Sequence, residues 1–231
     1  MKDTIIPALM PNSFDEIHAA SISVRGEVSV IQLDIMDGKY VPEPTWPFVR
    51  GGGRDIQDIL NEDTGLPLWE DIGYEIDLMV RRPEEELGTW LGLGASRVIF
   101  HYASVHDWGK IKEIDPVVRN FLDLGVAVTI HDNIEKVYEL IDTNTVDFIQ
   151  CMGIARIGYQ GEPFDESVLE LIASIRSRYP DIIISVDGGV NEDTIQLLKE
   201  AGVDRFVAGS AVFGSGIAKE NIEYLADIIK T

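Results

Sequence analysis

The sequence predicts an α/β protein that folds as a single (β/α)8 barrel with eight parallel strands. Short apolar runs alternate with longer amphipathic segments from one end of the 231 residues to the other, which is typical of strands and helices in alternation. Several runs are apolar at consecutive positions, as at Ile182, Ile183 and Ile184, and this indicates strands buried on both faces. A doubly wound open sheet is the competing prediction, but no Gly-x-Gly-x-x-Gly motif follows the first run.

Eight apolar runs are predicted as the strands. They are Thr4–Leu9, Val28–Met36, Tyr74–Val80, Arg97–His101, Val126–Ile130, Phe148–Gly153, Ile182–Asp187 and Arg205–Ala208. One strand-then-helix unit for each run, in a chain of this length, favours closure into a barrel. The length would also suit two small domains. Because we find no internal repeat or linker, we expect one barrel over residues 1–231.

The predicted helices have recognisable ends. The segment Asn133–Ile141 carries its apolar residues at helical spacing. Asp165 is placed to cap a helix over Glu166–Tyr179. Asn191 precedes a segment with acidic residues in its first turn, and Gly202 ends that segment. These positions place the helices between the strands.

One connection, at about residues 42–73, is longer than the others. It contains the run Gly51-Gly52-Gly53 and several proline and tryptophan residues. Loops of this length are uncommon and often serve as lids or binding loops. We interpret this one as an extended connection wrapped around a short helix near Ile56–Leu60.

The composition limits the partners. The net charge is −21, from 40 acidic and 19 basic residues, and such a field repels nucleic acid and anionic membranes. The single cysteine, Cys151, excludes a disulfide framework and favours a reducing compartment. The chain shows neither the apolar core of a signal peptide nor a run long enough to span a bilayer. We expect a soluble cytoplasmic protein that assembles as a homo-oligomer.

Two aspartates mark a candidate active site. Asp34 lies near the carboxyl end of the second predicted strand, and Asp187 ends the seventh. Because barrel active sites lie at the carboxyl ends of the strands, both side chains are expected at one pocket mouth. Two facing carboxylates suit proton removal and return at a carbon next to a carbonyl. An aspartate at a strand end can also serve only to cap the next turn.

Glycines mark a candidate phosphate site. Gly188 and Gly189 follow the seventh predicted strand, and Gly209 and Ser210 follow the eighth. Barrel enzymes commonly hold phosphate with backbone N–H groups in these two loops. Gly158 and Gly161 in the sixth loop can add further amides, although each glycine can also serve only a tight turn. The predicted ligand therefore carries a phosphate group.

These features together resemble a known family. The segments that carry the resemblance are Pro7–Met10, Asp34–Pro42 (Asp-x-Met-Asp-Gly-x-x-Val-Pro), Leu78–Val80, Asp187–Val190 (Asp-Gly-Gly-Val) and Ala208–Phe213. The chain is similar to the ribulose-phosphate 3-epimerase family, whose members are TIM barrels that epimerise a ketopentose phosphate at C3 with a divalent metal and two aspartates. The resemblance implies catalytic roles for Asp34 and Asp187, and a pocket lined by Met36, Met79 and Met152.

The sequence departs from the family at the metal ligands. Gln32 and Asp77 stand where the family has histidines, and Ala8 stands where it has a serine that contacts substrate. The sixth loop, Pro-Gly-Phe-x-Gly-Gln in the family, is one residue longer here, over Arg156–Glu162. His101 and His131 end predicted strands, but neither occupies a position that the family uses for metal, so we interpret both as ordinary hydrogen-bonding residues.

The metal prediction has two branches. Asp34, Asp77 and Asp187, with Gln32 beside them, are expected to converge, and three close carboxylates cannot all stay ionised without compensation. Either they are protonated or paired with a base such as Arg156, or a cation lies among them. With oxygen ligands only, Mg²⁺ or Mn²⁺ is favoured over Zn²⁺.

Three functions follow from these alternatives. The first is an isomerase that epimerises C3 of a ketose phosphate by two-base proton transfer between Asp34 and Asp187. The second is a non-catalytic sugar-phosphate-binding barrel that has lost its metal. The third is a Mg²⁺-dependent sugar-phosphate decarboxylase of the same superfamily, for which Asp77 is the motivating residue.

Overall fold

The predicted fold class is confirmed. The structure is a computed structural model that describes residues 4–159 and 161–230. Within them, eight parallel strands form a closed barrel in which each strand pairs with the next along the chain, and the last pairs with the first. The strands are β1 (Ile5–Leu9), β2 (Val30–Met36), β3 (Gly73–Met79), β4 (Arg97–His101), β5 (Asp123–Val128), β6 (Phe148–Met152), β7 (Ile183–Asp187) and β8 (Arg205–Ala208).

Helices follow the strands and cover the outside of the barrel. They are α1 (Phe14–Val24), α2 (Gly52–Leu60), α3 (Leu87–Leu91), α4 (Trp108–Lys112), α5 (Pro116–Arg119), α6 (Ile134–Asp142), α7 (Ser167–Arg178), α8 (Ile195–Glu200), α9 (Ser210–Phe213) and α10 (Ala218–Lys230). Nowhere in the described part of the chain is a helix both long and apolar enough to cross a membrane.

The two side chains that the sequence singled out bind backbone N–H groups in the turns where α7 and α8 begin. Oδ1 of Asp165 accepts a hydrogen bond from the backbone N–H of Ser167 at 3.0 Å. Oδ1 of Asn191 accepts from the backbone N–H groups of Asp193 and Thr194 at 2.9 and 3.2 Å. These bonds satisfy N–H groups that have no partner inside the first turn of a helix.

The predicted range of the fifth strand was wrong at its start. Val126–Ile130 was expected, whereas β5 begins at Asp123, in register with Arg97 of β4. Glycine usually interrupts the apolar pattern of a strand, but β5 needs Gly125 in its interior. A Cβ atom at Gly125 would lie 2.4 Å from the ring of Phe148, so the aromatic side chain fills the space of the missing one.

The long connection at residues 42–73 packs against the barrel around α2. Trp46 is fully buried, and its Nε1 donates a hydrogen bond to Asp55 of α2 at 3.1 Å. At Gly52, a Cβ atom would lie 2.5 Å from the carbonyl oxygen of Pro47, so a glycine lets the helix approach the chain before it. The segment is an extended connection around one helix, and α2 is longer than the predicted Ile56–Leu60.

The interior of the barrel is polar along much of its axis. Near the amino ends of the strands, Glu75 is buried and forms an ion pair with Arg205, which also donates to Oγ of Ser185 at 3.1 Å. Apolar side chains such as Leu33 and Ile76 occupy the alternate positions and pack in the layer between the strands and the helices. Cys151 lies in that layer, fully buried.

Candidate active site

Three aspartates converge inside the barrel near the carboxyl ends of the strands. Asp34 on β2 and Asp77 on β3 are neighbours in register, and Asp187 ends β7. One carboxylate oxygen from each lies within 4.8 Å of the other two, and the three side chains are buried. The topology therefore brings together residues that are up to 153 positions apart, as the strand positions predicted.

Two glutamine amides hold the carboxylates together. Nε2 of Gln32 donates to Asp34 at 2.8 Å and to Asp187 at 2.7 Å. Nε2 of Gln150 lies 3.2 Å from an oxygen of Asp77 and 3.3 Å from an oxygen of Asp187. The carbonyl oxygens of both glutamines are buried without a hydrogen-bond partner. Buried acceptors of this kind are rare and mark a place for a further donor or a cation.

His101 lies beside Asp77, one of the three converging aspartates. Its Nε2 lies 2.9 Å from Oδ1 of Asp77, an ion-pair distance without the alignment of a hydrogen bond, and the two side chains are 2% and 0% exposed. Burial opposes the charged imidazolium, but Asp77, Asp187 and Asp132 together outweigh it, so the pKa of His101 is raised. A charged His101 compensates part of the negative charge.

Other predicted residues lie elsewhere. Arg156, predicted as a base that pairs with the aspartates, instead pairs with Glu162 at 2.6 Å. His131 is exposed in the turn after β5, which ends at Val128. Gln150 was missed, although it shares the inward-facing side of β6 with Met152, two positions later; that alternation is the signal that could have found it.

Burial controls the protonation of the two proposed catalytic aspartates. It raises the pKa of Asp34 well above its ordinary value, and the charges of Asp187 and Asp77 raise it further. Burial and the charge of Asp77 raise the pKa of Asp187 to about 7, against the opposing effects of Gln32 and His101. The raised pKa values favour retention of a proton on the pair, so that one carboxyl group can act as an acid while the other acts as a base.

A pocket opens above the aspartates at the carboxyl ends of the strands. Asp34 and Asp187 lie in its wall, next to Ala8. The other predicted binding residues that line it are Met79, Met152, Gly158, Gly161, Gly188, Gly189, Gly209 and Ser210. Met36 lies beside the pocket in an apolar cluster with Met79, and Tyr40 and Ile157 pack against that cluster.

The relationship to known proteins agrees with this site. The model of the Ribulose-phosphate 3 epimerase family matches residues 4–213. The chain belongs to this family. It is 29% identical over 224 residues to the ribulose-phosphate 3-epimerase, cytoplasmic isoform, of Oryza sativa subsp. japonica, covering 96% of this chain and 92% of the relative. It is 28% identical to the ribulose-phosphate 3-epimerase of Bacillus subtilis (strain 168), covering 86% of each chain.

Solved structures share the fold. KGPDC from Streptococcus mutans superposes with a TM-score of 0.73 over 100% of this chain and 98% of that one, at 15% sequence identity. A 3-hexulose-6-phosphate synthase superposes with a TM-score of 0.66 at 19% identity, over 99% of both chains. At these identities the similarity supports the barrel architecture, and function must be argued from the site.

The donor atoms of this family member suit a metal ion. Three buried carboxylates lie within reach of one cation, and the unpartnered carbonyl oxygen of Gln32 lies beside them. Gln32 and Asp77 occupy the places of the two family histidines, so the predicted ligand set here consists of oxygen atoms. Such a set can hold a divalent cation.

The loop after β7 needs its two glycines for two reasons. Gly188 and Gly189 both have positive φ angles, of 94° and 70°, which other residues rarely adopt. In addition, a Cβ atom at Gly188 would lie 2.7 Å from Ile154, and one at Gly189 would lie 2.9 Å from Phe164. The turn after β7 and its close approach to the chain after β6 therefore require these two glycines, whatever they bind.

The sixth loop folds over the side of the pocket near β2. Gly158, with a φ of 84°, approaches Val41 so closely that a Cβ atom would lie 2.6 Å away. Ile157 packs against the cluster of Met36 and Met79, and also against the cluster that contains Met152. An apolar wall thus closes one side of the site and excludes water from it.

Proposed function

We propose that this protein is a ketose-phosphate 3-epimerase that moves protons between the substrate and two carboxyl groups, those of Asp34 and Asp187. The observation that supports the proposal is the placement of the Asp34 and Asp187 carboxyl groups in one pocket. Both carboxyl groups line one pocket and are buried, on strands that have β8 and β1 between them. Membership of the family supports the same reaction.

The protonation of the two carboxyl groups fits the reaction. The ionised carboxylate removes the proton from C3, next to the ketone, and the protonated partner delivers a proton to the other face of the same carbon. The raised pKa values of Asp34 and Asp187 favour a proton on the pair, and a carboxyl group exchanges that proton with solvent, so deuterium from heavy water can reach C3. A cation bound to the same carboxylates would lower these pKa values. The epimer that binds decides which carboxyl group acts as the base.

The surrounding residues hold this arrangement. Gln32 donates to both catalytic carboxyl groups, so it orients them toward each other. Met79 and Met152 line the pocket beside them, and their thioethers present an adaptable apolar surface to a planar intermediate. The family resemblance assigns the same cushioning role to Met36.

We propose that the cation of the site is Mg²⁺ or Mn²⁺ rather than Zn²⁺, held by Asp34, Asp77 and Asp187 with Gln32 as a neutral ligand. The preference rests on the ligands, which are carboxylate and amide oxygens. When bound, such a cation supplies electrostatic stabilisation of the negative charge that develops on the substrate oxygens.

The phosphate group of the substrate is assigned to the loops after β7 and β8, where Gly189, Gly209 and Ser210 line the pocket. Replacing Gly209 by valine puts a branched side chain beside these backbone amides. We expect sugar-phosphate affinity to fall sharply while the melting temperature of the protein changes little. Unchanged affinity in a folded variant would remove the phosphate from this place.

The reaction is tested in heavy water with ribulose 5-phosphate. We expect deuterium at C3 and formation of the C3 epimer, and both should be lost in Asp34→Asn and Asp187→Asn. Absence of exchange with a panel of ketose phosphates would contradict the proposal. Tight binding without turnover would then assign a sugar-phosphate-binding protein, and release of carbon dioxide would assign a decarboxylase.

A further inference from the structure

The pocket is unusual in its charge for a site that receives a phosphate. The described residues that line it include three acidic side chains, those of Asp34, Asp187 and Glu162, and no lysine or arginine. A doubly negative phosphate group that enters such a pocket meets repulsion, because the low-dielectric walls strengthen every charge interaction. Part of this repulsion comes from Glu162, since its carboxylate belongs to the same sixth loop as Gly158 and Gly161.

The guanidinium group of Arg156 is bound to that carboxylate. Arg156 donates from Nη2 to one oxygen of Glu162 at 2.6 Å and from Nε to the other at 3.1 Å. The guanidinium carbon of Arg156 also lies 5.1 Å from the centre of the Tyr159 ring. Both Glu162 and Tyr159 line the pocket, whereas Arg156 does not. These two contacts therefore hold the guanidinium next to the pocket wall.

The ion pair with Glu162 leaves some N–H groups of Arg156 unused. A guanidinium group has five N–H bonds, and its two bonds to Glu162 use two of them. The side chain of Arg156 is 68% exposed, whereas that of Glu162 is only 15% exposed, so the remaining N–H groups are open to a ligand. Planar, paired N–H donors match the geometry of phosphate oxygens.

We propose that Arg156, positioned by Glu162 and Tyr159, binds the phosphate group of the substrate from the sixth loop. The inference rests on the proposed function, because it names a specificity-determining residue of the same site. Glu162 is then a positioning residue: it aims the guanidinium and is neutralised by it. The family loop ends in glutamine, whereas this chain has glutamate, and the arginine removes the repulsion that this carboxylate would otherwise exert.

The test is calorimetric titration of the full chain with inorganic phosphate at constant ionic strength. In Arg156→Gln, the affinity should fall about tenfold, as expected for loss of a charge-assisted hydrogen bond. Arg156→Lys should recover part of the loss. The matched control is Arg54→Gln, because Arg54 lies on α2 with its side chain 87% exposed and makes only a surface ion pair with Asp58. It should leave the affinity within about twofold of the wild type.

A double variant separates a phosphate ligand from a mere neutraliser of Glu162. If Arg156 only cancels the charge of Glu162, the variant with both Arg156→Gln and Glu162→Gln should bind phosphate as tightly as Glu162→Gln alone. We expect it to bind about fivefold or more weakly than Glu162→Gln. In Glu162→Gln the substituted amide oxygen and the Tyr159 ring still position the guanidinium, whereas the double variant lacks this donor. Equal affinities of these two variants would overturn the proposal.

Kinetics give an independent readout. With a ketose phosphate that turns over, Arg156→Gln should raise KM about tenfold and leave kcat within about threefold, since the carboxyl groups that move the protons are untouched. If the protein exchanges deuterium but phosphate affinity does not depend on Arg156, the epimerase proposal stands and this inference is overturned. If phosphate binding depends on Arg156 in a protein without turnover, the inference stands and the epimerase proposal fails.

Discussion

The carboxyl group of Asp187 is held where its charge is unfavourable. Its pKa is raised from 3.8 to about 7, first by burial and then by Asp77. Between these two pH values the folded protein keeps a proton that the unfolded chain has released. The free energy of unfolding therefore falls as pH rises from about 4 through about 7. The stabilising contribution of the protonated Asp187 is complete only below that range. A functional site thus lowers the stability of the fold around it.

We expect Asp187→Asn to raise the free energy of unfolding at pH 8 by about 1–3 kcal/mol while it abolishes exchange at C3. The substituted amide keeps an oxygen that accepts from Gln32 but carries no charge. Urea unfolding at pH 5 and pH 8 measures the effect, which should be smaller at pH 5. Asp181→Asn is the control, since Asp181 is exposed just before β7. A variant less stable than the wild type at pH 8 would show that the charge is compensated.

The metal proposal is tested by the metal content of the purified protein. After dialysis against Mg²⁺ or Mn²⁺, elemental analysis should find about one equivalent, and Asp77→Asn should hold less, because the site loses one of its three carboxylates. Stoichiometric zinc would contradict the argument from oxygen ligands. Absence of metal under every condition, together with absence of turnover, would favour the binding-protein alternative.

For single residues, the sequence predicted which side chains lie at or near the carboxyl ends of the strands. Asp34, Asp187, Met79 and Met152 could be placed because a parallel barrel brings all carboxyl strand ends to one mouth. The contact between His101 and Asp77 could not be predicted in the same way. The register of β3 and β4 pairs Asp77 with Ile99, two residues before His101, so the contact depends on the direction that the His101 side chain takes inside the barrel.

The elements themselves follow closely from local patterns. Runs of consecutive apolar residues predicted strands such as β4 and β8 with their observed bounds. The start of β5 was misplaced since Asp123 and Gly125 are typical of turns, and local propensity carries no information about the Phe148 ring that fills the space above Gly125. The tertiary contact overrides the local preference.

Gly125 and Gly53 allow a direct test of this explanation. Gly125→Ala would place a Cβ atom 2.4 Å from the Phe148 ring, so we expect a loss of about 1–3 kcal/mol in the free energy of unfolding. Gly53→Ala in α2 meets no atom within 4 Å and should raise the stability by about 0.5–1 kcal/mol, as alanine favours a helix. Chemical denaturation of both variants measures the difference. Equal effects would show that β5 tolerates the side chain.

At the scale of the whole molecule, charge is the dominant global property. A net charge of −21 produces repulsion across the folded surface, and salt screens it. We expect the melting temperature to rise by a few degrees between about 20 and 300 mM salt, equivalent to roughly 1–2 kcal/mol. Sodium and potassium chloride should act alike. A decrease with salt would show that the surface ion pairs outweigh the repulsion.

The alkylation rate of the single buried thiol reports how often the structure around it opens. Cys151 is fully enclosed, and burial raises its pKa to about 12, so at pH 8 only about one thiol in ten thousand is ionised in the closed state. Alkylation of the native protein must then wait for an opening of the layer between strands and helices, and its rate reports how often that layer opens. A ligand that binds only the closed barrel should slow the labelling by the ratio of total to free protein. Labelling of this one thiol thereby ranks phosphate and divalent ions as ligands even if no substrate turns over.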